Sequence, residues 1–332
     1  MTPKERVMAR FEGHKTDRLP NYCIVMAFAA KMIGVPYSQY VTDYKTLVRG
    51  AMHCCEEYGI DVLSVISDPV REAAGFGAVV NIPEDGVPHC PEPLIKSLSD
   101  LSKLKTYDPA SKERTNDRLE AVGLFKEQAG NHYPILGWVE GPIASSCCLR
   151  GLTNIMTDML DEPSAVEELM DICNQQAILF AQAQIALGAD IIGVGDAAAS
   201  LIGASLYEEF VLPRQKKLFE AIHAAGAKVK LHICGNINPL LDLIADSGAD
   251  MVDCDWMVDF DKAVRVLGKA SACGNFDPVD VLLNGSLEEV RAAVLNCVEV
   301  ASPTTAIAAG CEVPRDTPVG NLLGVFEVLC GV

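Results

Sequence analysis

Ala189–Asp196 reads ADIIGVGD, Lys228–Gly235 reads KVKLHICG, and between them lies Tyr207–Ala225, YEEFVLPRQKKLFEAIHAA, closed by Gly226. The two flanking runs are short, apolar and uninterrupted, as strands buried on both faces of a parallel sheet are. The middle run has the 3.6-residue apolar spacing of an amphipathic helix, and a glycine at its end fits a left-handed C-cap. Strand, helix, strand in that order is one βα crossover.

The same unit recurs in both directions along the chain. Leu19–Met26, Asp61–Ser67 and Tyr133–Gly141 are strand candidates upstream; Met251–Trp256, Ser271–Asp277 and Thr305–Cys311 follow downstream, making eight. Glu162–Leu187 is helical in pattern, with Asp161 and Pro163 placed to start it, and Ser286–Val300 opens with SLEE, a capping-box pattern. Eight βα units predict one (β/α)8 TIM barrel over residues 1–332, with an N-terminal helical extension; an open doubly wound sheet is the alternative. The stretch 68–131 is too long for a single crossover and is read as an insertion after the second strand, carrying a short excursion and a helix.

Composition narrows the function. The chain has 332 residues with 45 acidic and 27 basic side chains, a formal charge of -18, so neither nucleic acid nor an anionic membrane surface is an expected partner. No run reaches the ~18 apolar residues of a membrane span, and Met1–Gly13 has no apolar core of the kind a secretory signal needs. Thirteen cysteines, an odd number, fit a reducing cytoplasm better than a disulfide framework. The adjacent pairs Cys54–Cys55 and Cys147–Cys148 read as packing, since neighbours on a strand face opposite sides, and Trp138 and Trp256 read as packing too. The glycines of GVGD do not open a G-x-G-x-x-G loop, so no dinucleotide site is expected.

In a barrel the chemistry gathers at the carboxyl ends of the strands. Those ends carry Glu140, Asp196, His232 with Cys234, Asp253 with Asp255, Asn275 with Asp277, and Cys311 with Glu312. His232 and Cys234 are two apart on a predicted strand and share a face. Cys311 ends another strand at the same mouth. One imidazole and two thiolates make a zinc set of the three-ligand type, with a position left open. Two packing cysteines and a core histidine remain the other reading of these residues. Glu140 and Asp196 read as a fourth ligand, a proton donor or a loop anchor.

Several longer stretches carry a family resemblance. MTPKERVMARFEGHKTDRLP at the start resembles the opening of the uroporphyrinogen decarboxylase superfamily. ASLYEEFVLPRQKKLFEAIHAAG followed by KLHICGN, then GNFDP and AAGCEVPRDTPVGNL, is similar to its corrinoid-dependent methyltransferase branch, which includes methylcobalamin:coenzyme M methyltransferases. The resemblance implies a zinc motif H-x-C with a distant cysteine: His232, Cys234 and Cys311, with 76 residues between the cysteines. It also implies a corrinoid carried by a partner protein and a small thiol such as coenzyme M, or the reverse passage of a methyl from an ether or amine to Co(I). The decarboxylase branch fits less well. Its arginine-rich R-Q-A-G-R segment is matched here by IVMAFAAKMIG, without arginine, and its L-G-H-G-I by AGCEV, with Cys311 in the place of the histidine.

Overall fold

The computed structural model describes residues 1–331. Seven strands form one parallel sheet in sequence order: β1 (Leu63–Ser64), β2 (Ile135–Glu140), β3 (Ile191–Gly195), β4 (Lys228–His232), β5 (Met251–Asp253), β6 (Ser271–Phe276) and β7 (Ala306–Ala309). Sequential parallel neighbours require a crossover between each pair. The segment that was expected to be the first strand behaves differently. Around Asn21 it makes a single bridge to Ile307, and the chain turns helical at Ala27. Pro20 lacks an N–H and cannot extend a ladder. The segment still links the two edges of the sheet. The Tyr22 N–H donates to the Ile307 carbonyl at 2.7 Å, the Ile307 N–H to the Pro20 carbonyl at 2.9 Å, and the Asp61 N–H to the Asn21 carbonyl at 2.9 Å. The sheet is therefore curled, with residues 20–22 between β7 and β1.

Glu162–Leu187 is observed as Pro163–Ala186. Leu287–Glu299 begins with Ser286 and Glu289 in a reciprocal capping box. Between residues 68 and 131 the structure holds the short helix Arg71–Phe76 and the longer helix Glu113–Ala129, joined by irregular chain with two short 3-10 pieces, Leu98–Lys103 and Pro109–Ser111. Both adjacent cysteine pairs sit on helices, Tyr44–Tyr58 and Pro142–Arg150, rather than on strands. Among the described residues every cysteine is free. Trp138 is buried, but Trp256 is 47 % exposed, so the expectation that both pack inside fails for Trp256, which lies in the turn after β5.

Register aligns the site. Glu140 pairs with Gly195, Gly195 with His232, and His232 with Asp253. Paired residues of a parallel sheet project to the same side, so one row across β2, β3, β4 and β5 carries a carboxylate, a gap, an imidazole and a carboxylate. The gap needs glycine: a Cβ on Gly195 would lie 2.9 Å from the Trp138 ring and 3.1 Å from Glu140 Oε2. Gly193 makes room for the same indole, since its Cβ would come within 2.2 Å of it. The glycines of GVGD serve the placement of Trp138 and Glu140.

Candidate metal centre

β4 ends at His232, so Cys234 lies just past the strand rather than on it. Cys311 likewise falls two residues beyond β7. The three side chains nevertheless converge. His232 Nε2 is 3.1 Å from Cys234 Sγ, the two sulfurs are 3.9 Å apart, and all three donor atoms lie within 4.8 Å of one another. A disulfide would need about 2.05 Å between sulfurs. Tetrahedral zinc at ~2.3 Å from each sulfur would place the sulfurs about 3.8 Å apart. The donor set fits a zinc ion in both chemistry and spacing.

Behind the imidazole runs a fixed polar chain. Asp253 Oδ2 is 2.9 Å from His232 Nδ1 and also accepts from the fully buried Lys230 Nζ. A carboxylate on Nδ1 fixes the tautomer that leaves Nε2 free to ligate. Burial alone would raise the Asp253 carboxyl, but the Lys230 charge and the His232 bond outweigh it and hold the group at about 2. Burial lowers the His232 imidazole; hydrogen bonds with Asp253 and Cys311 reverse that and bring it to about 9. The Cys234 thiol beside it, then His232, hold the Cys311 thiol below its ordinary value, while Cys311 and burial push Cys234 up.

The three donors open onto a cavity of about 200 Å³ whose wall also includes Trp138, Glu140 and Glu312. Glu140 is 5 % exposed. Its Oε1 accepts from Trp138 Nε1 at 2.9 Å and lies 4.0 Å from Arg71 Nη2, and its N–H donates to Glu72 Oε1 at 2.8 Å. Burial, reinforced by the charge of Glu72, pushes the Glu140 carboxyl up to about 8. Burial likewise raises Glu312, next to Cys311, to about 7; it accepts the Ala27 N–H at 3.0 Å.

Asp196 is not brought to this cavity. Its Oδ1 accepts the N–H groups of Ile143 and Ala144 at 3.1 and 2.9 Å, and its Oδ2 accepts from Gln215 Nε2 at 2.8 Å. It anchors the first turn of the helix Pro142–Arg150, the loop-anchor option for this residue. Burial raises its carboxyl to about 7 despite those three bonds. The folded chain holds that proton up to about pH 7, whereas the unfolded chain releases it near 3.8. Folding takes up a proton in between, so this group's contribution to stability is complete below pH ~4 and lost as pH rises through 7. Asp196→Asn is expected to flatten the fall in urea-unfolding free energy between pH 5 and 8. An unchanged slope would show that Asp196 is already ionised in the folded state.

Reading strand ends located the three donors and Glu140. It missed Lys230, Arg71 and Glu72. Lys230 had a legible signal: in KVKLH it alternates onto the face of His232, so its ammonium had to find a partner inside the sheet. Arg71 and Glu72 come from the patternless stretch 68–131 and had none.

The uroporphyrinogen decarboxylase (URO-D) family model matches residues 2–329. The chain is 29 % identical over 335 residues to the methylcobamide:CoM methyltransferase MtbA of Methanosarcina acetivorans, covering 98 % of this chain and 97 % of that one. It is 24 % identical over 332 residues to the methylcobamide:CoM methyltransferase MtaA of Methanosarcina barkeri, covering 97 % and 95 %. A solved methyltransferase from Methanosarcina mazei superposes with a TM-score of 0.91 at 23 % identity, covering 99 % of this chain and 98 % of that one, which is a likeness of fold.

Proposed function

The chain belongs to the uroporphyrinogen decarboxylase (URO-D) family, and from that footing we propose that it is a corrinoid-dependent methyltransferase that moves a methyl group between a corrinoid on a partner protein and the sulfur of a small thiol. Coenzyme M, the thiol in its relatives' names, belongs to that class. In this reading residues 1–332 are one (β/α)8 domain with an N-terminal extension and an insertion at 68–131, working in the cytoplasm. No helix among the described residues is long and apolar enough to cross a membrane.

The observation that carries the reading is the meeting of one imidazole nitrogen and two sulfurs within 4.8 Å at the wall of a small cavity. His232, Cys234 and Cys311 are the zinc ligands of this proposal. A zinc ion there would lower the pKa of a bound thiol from its ordinary ~8.5 and keep the sulfur nucleophilic. Asp253 and Lys230 hold the imidazole in its ligating tautomer. Glu140, with its carboxyl near neutrality, exchanges the proton that the thiol gives up. Trp138 fixes Glu140 through Oε1, and the aliphatic wall keeps water from the sulfur. In the transfer the sulfur gains the methyl group, and the corrinoid keeps the electron pair of its cobalt–carbon bond.

The decarboxylase reading lacks support at the same cavity. A substrate with many carboxylates needs cationic clamps, and no lysine or arginine is among the residues of its wall. The test is elemental analysis joined to turnover. The purified chain is expected to carry about one zinc, and to demethylate methylcobalamin when given a thiol. A metal-free protein with full activity in any assay would overturn the proposal.

A further inference from the structure

Trp256 is 47 % exposed in the turn after β5, and that turn touches the chain neighbours of both sulfur ligands. Gly235, the residue after Cys234, donates its N–H to Asp255 Oδ2 at 2.8 Å. Gly310, the residue before Cys311, lies so close that a Cβ there would come within 2.3 Å of the Trp256 backbone nitrogen. The turn is tightly bonded. Buried Asp255 also accepts the Met257 N–H through Oδ1 at 3.2 Å, and Asn275 Nδ2 donates to the Asp255 and Val258 carbonyls at 3.1 and 2.8 Å. The backbone thus fixes the indole at the surface. Met257 beside it is exposed too, as are Leu201 and Val279 in the segments after β3 and β6. All four follow the carboxyl ends of strands, around the mouth onto which the donors open.

The size of the cavity decides what meets that indole. A corrin macrocycle does not fit in about 200 Å³. In the proposed transfer only the methyl group, which stands on cobalt perpendicular to the ring plane, reaches the sulfur. In-line attack along the cobalt–carbon bond therefore lays the face of the corrin over the mouth, across the segments that flank Cys234 and Cys311. A conjugated face stacks well on an indole, and tryptophan anchors such contacts with a large apolar area. Neither Trp256 nor Met257 belongs to the cavity wall, so the small thiol and the corrin use different residues. Resting on the methyl-transfer reading, we infer that Trp256 is a corrin-recognition residue. Its indole, with Met257 beside it, packs against the macrocycle and places the cobalt-bound methyl over the sulfur.

The experiment uses the zinc-loaded full chain with free methylcobalamin as the probe and 2-mercaptoethanesulfonate as the thiol. It compares the parent with Trp256→Ala and Trp256→Phe. Loss of the cobalt–methyl absorbance gives kcat and the KM for methylcobalamin. Calorimetry gives the Kd of methylcobalamin without thiol and the Kd of the thiol without corrinoid, both independent of turnover. Trp256→Ala is expected to raise the KM and Kd for methylcobalamin by about tenfold or more, a ratio equivalent to ~1.4 kcal/mol. Zinc content, melting temperature and the thiol Kd are expected to stay at the parent values, and Trp256→Phe to recover most of the loss. Equal methylcobalamin values in the parent and Trp256→Ala would overturn the inference while methyl transfer stands. A loss shared by the thiol Kd or the zinc content would overturn it too, because Trp256 would then support the centre rather than meet the corrin. If the parent neither binds nor demethylates methylcobalamin, the methyl-transfer reading falls first and takes the inference with it.

Discussion

Replacing Cys234 with serine is expected to abolish methyl transfer, with a loss of about 10³-fold or more, and to leave the fold in place. Thiolates are soft ligands that select zinc, whereas a serine hydroxyl stays protonated and binds it poorly. Changing a residue that only supports a ligand typically costs 10–100-fold in metal affinity; removing one of three ligands is expected to cost at least the upper end of that range. The geometry makes Cys234 a demanding choice. Its sulfur lies 3.1 Å from His232 Nε2 and 3.9 Å from Cys311 Sγ. Yet the residue lies outside β4 and is only half-buried, so an oxygen in place of sulfur removes little packing. Metal content, turnover and the melting temperature of chelator-treated protein should be measured together, because bound metal itself stabilises the folded chain. The expected pattern is zinc lost, turnover lost, and the metal-free melting temperature kept. A serine variant that retains both zinc and turnover would remove Cys234 from the centre.

That centre was partly legible before any coordinates because its three donors are chemically unusual residues at strand ends, and strand ends follow from a period of apolar runs. The convergence of Cys311 on a pair whose cysteine lies 77 positions earlier follows from the curl of the sheet, which eight βα units already imply. The supporting residues were harder to read. Asp253 was visible as the end of a strand, but its role depends on register, on whether it falls beside His232 or one residue away, and apolar patterning does not fix register between parallel strands. Arg71 and Glu72 reach Glu140 from a helix of six residues in a stretch with no periodicity. Nothing local marks such residues, because their partners are set by tertiary packing. The first expected strand forms only a bridge for a specific reason. LPNYCIVM has strand composition, but a proline without an N–H and an immediate turn into helix leave it a single bridge.

Asp61 is a test of the other end of the molecule. It precedes β1, is fully buried, and uses both carboxylate oxygens. Oδ1 accepts from Arg6 Nη1 at 2.7 Å and Arg18 Nη2 at 2.8 Å; Oδ2 accepts from Arg18 Nη1 at 2.6 Å and the Asn21 N–H at 2.7 Å. One side chain thus ties the N-terminal helix Pro3–Phe11, the turn after it and the bridging residues 20–22 to the edge of the sheet. Asp61→Ala would leave the Arg18 guanidinium without its carboxylate in a site with little water, while Arg6 keeps Asp17 at 2.7 and 2.8 Å. Breaking a buried pair from one side costs ~3–5 kcal/mol. At ~2.1 cal/mol/K per residue of unfolding entropy, a chain of this length should melt roughly 4–7 °C lower. The same variant should still bind about one zinc, because Asp61 lies before β1 whereas the donors gather past the carboxyl ends of β4 and β7. A melting temperature within 1 °C or so of the parent would mean that the residue 20–22 segment closes the sheet without this carboxylate. Loss of zinc in the folded variant would mean that the centre depends on that closure. Stability held at the amino ends of the strands and chemistry held at the carboxyl ends is the division a parallel barrel makes available, and the Cys234 and Asp61 variants measure its two halves separately.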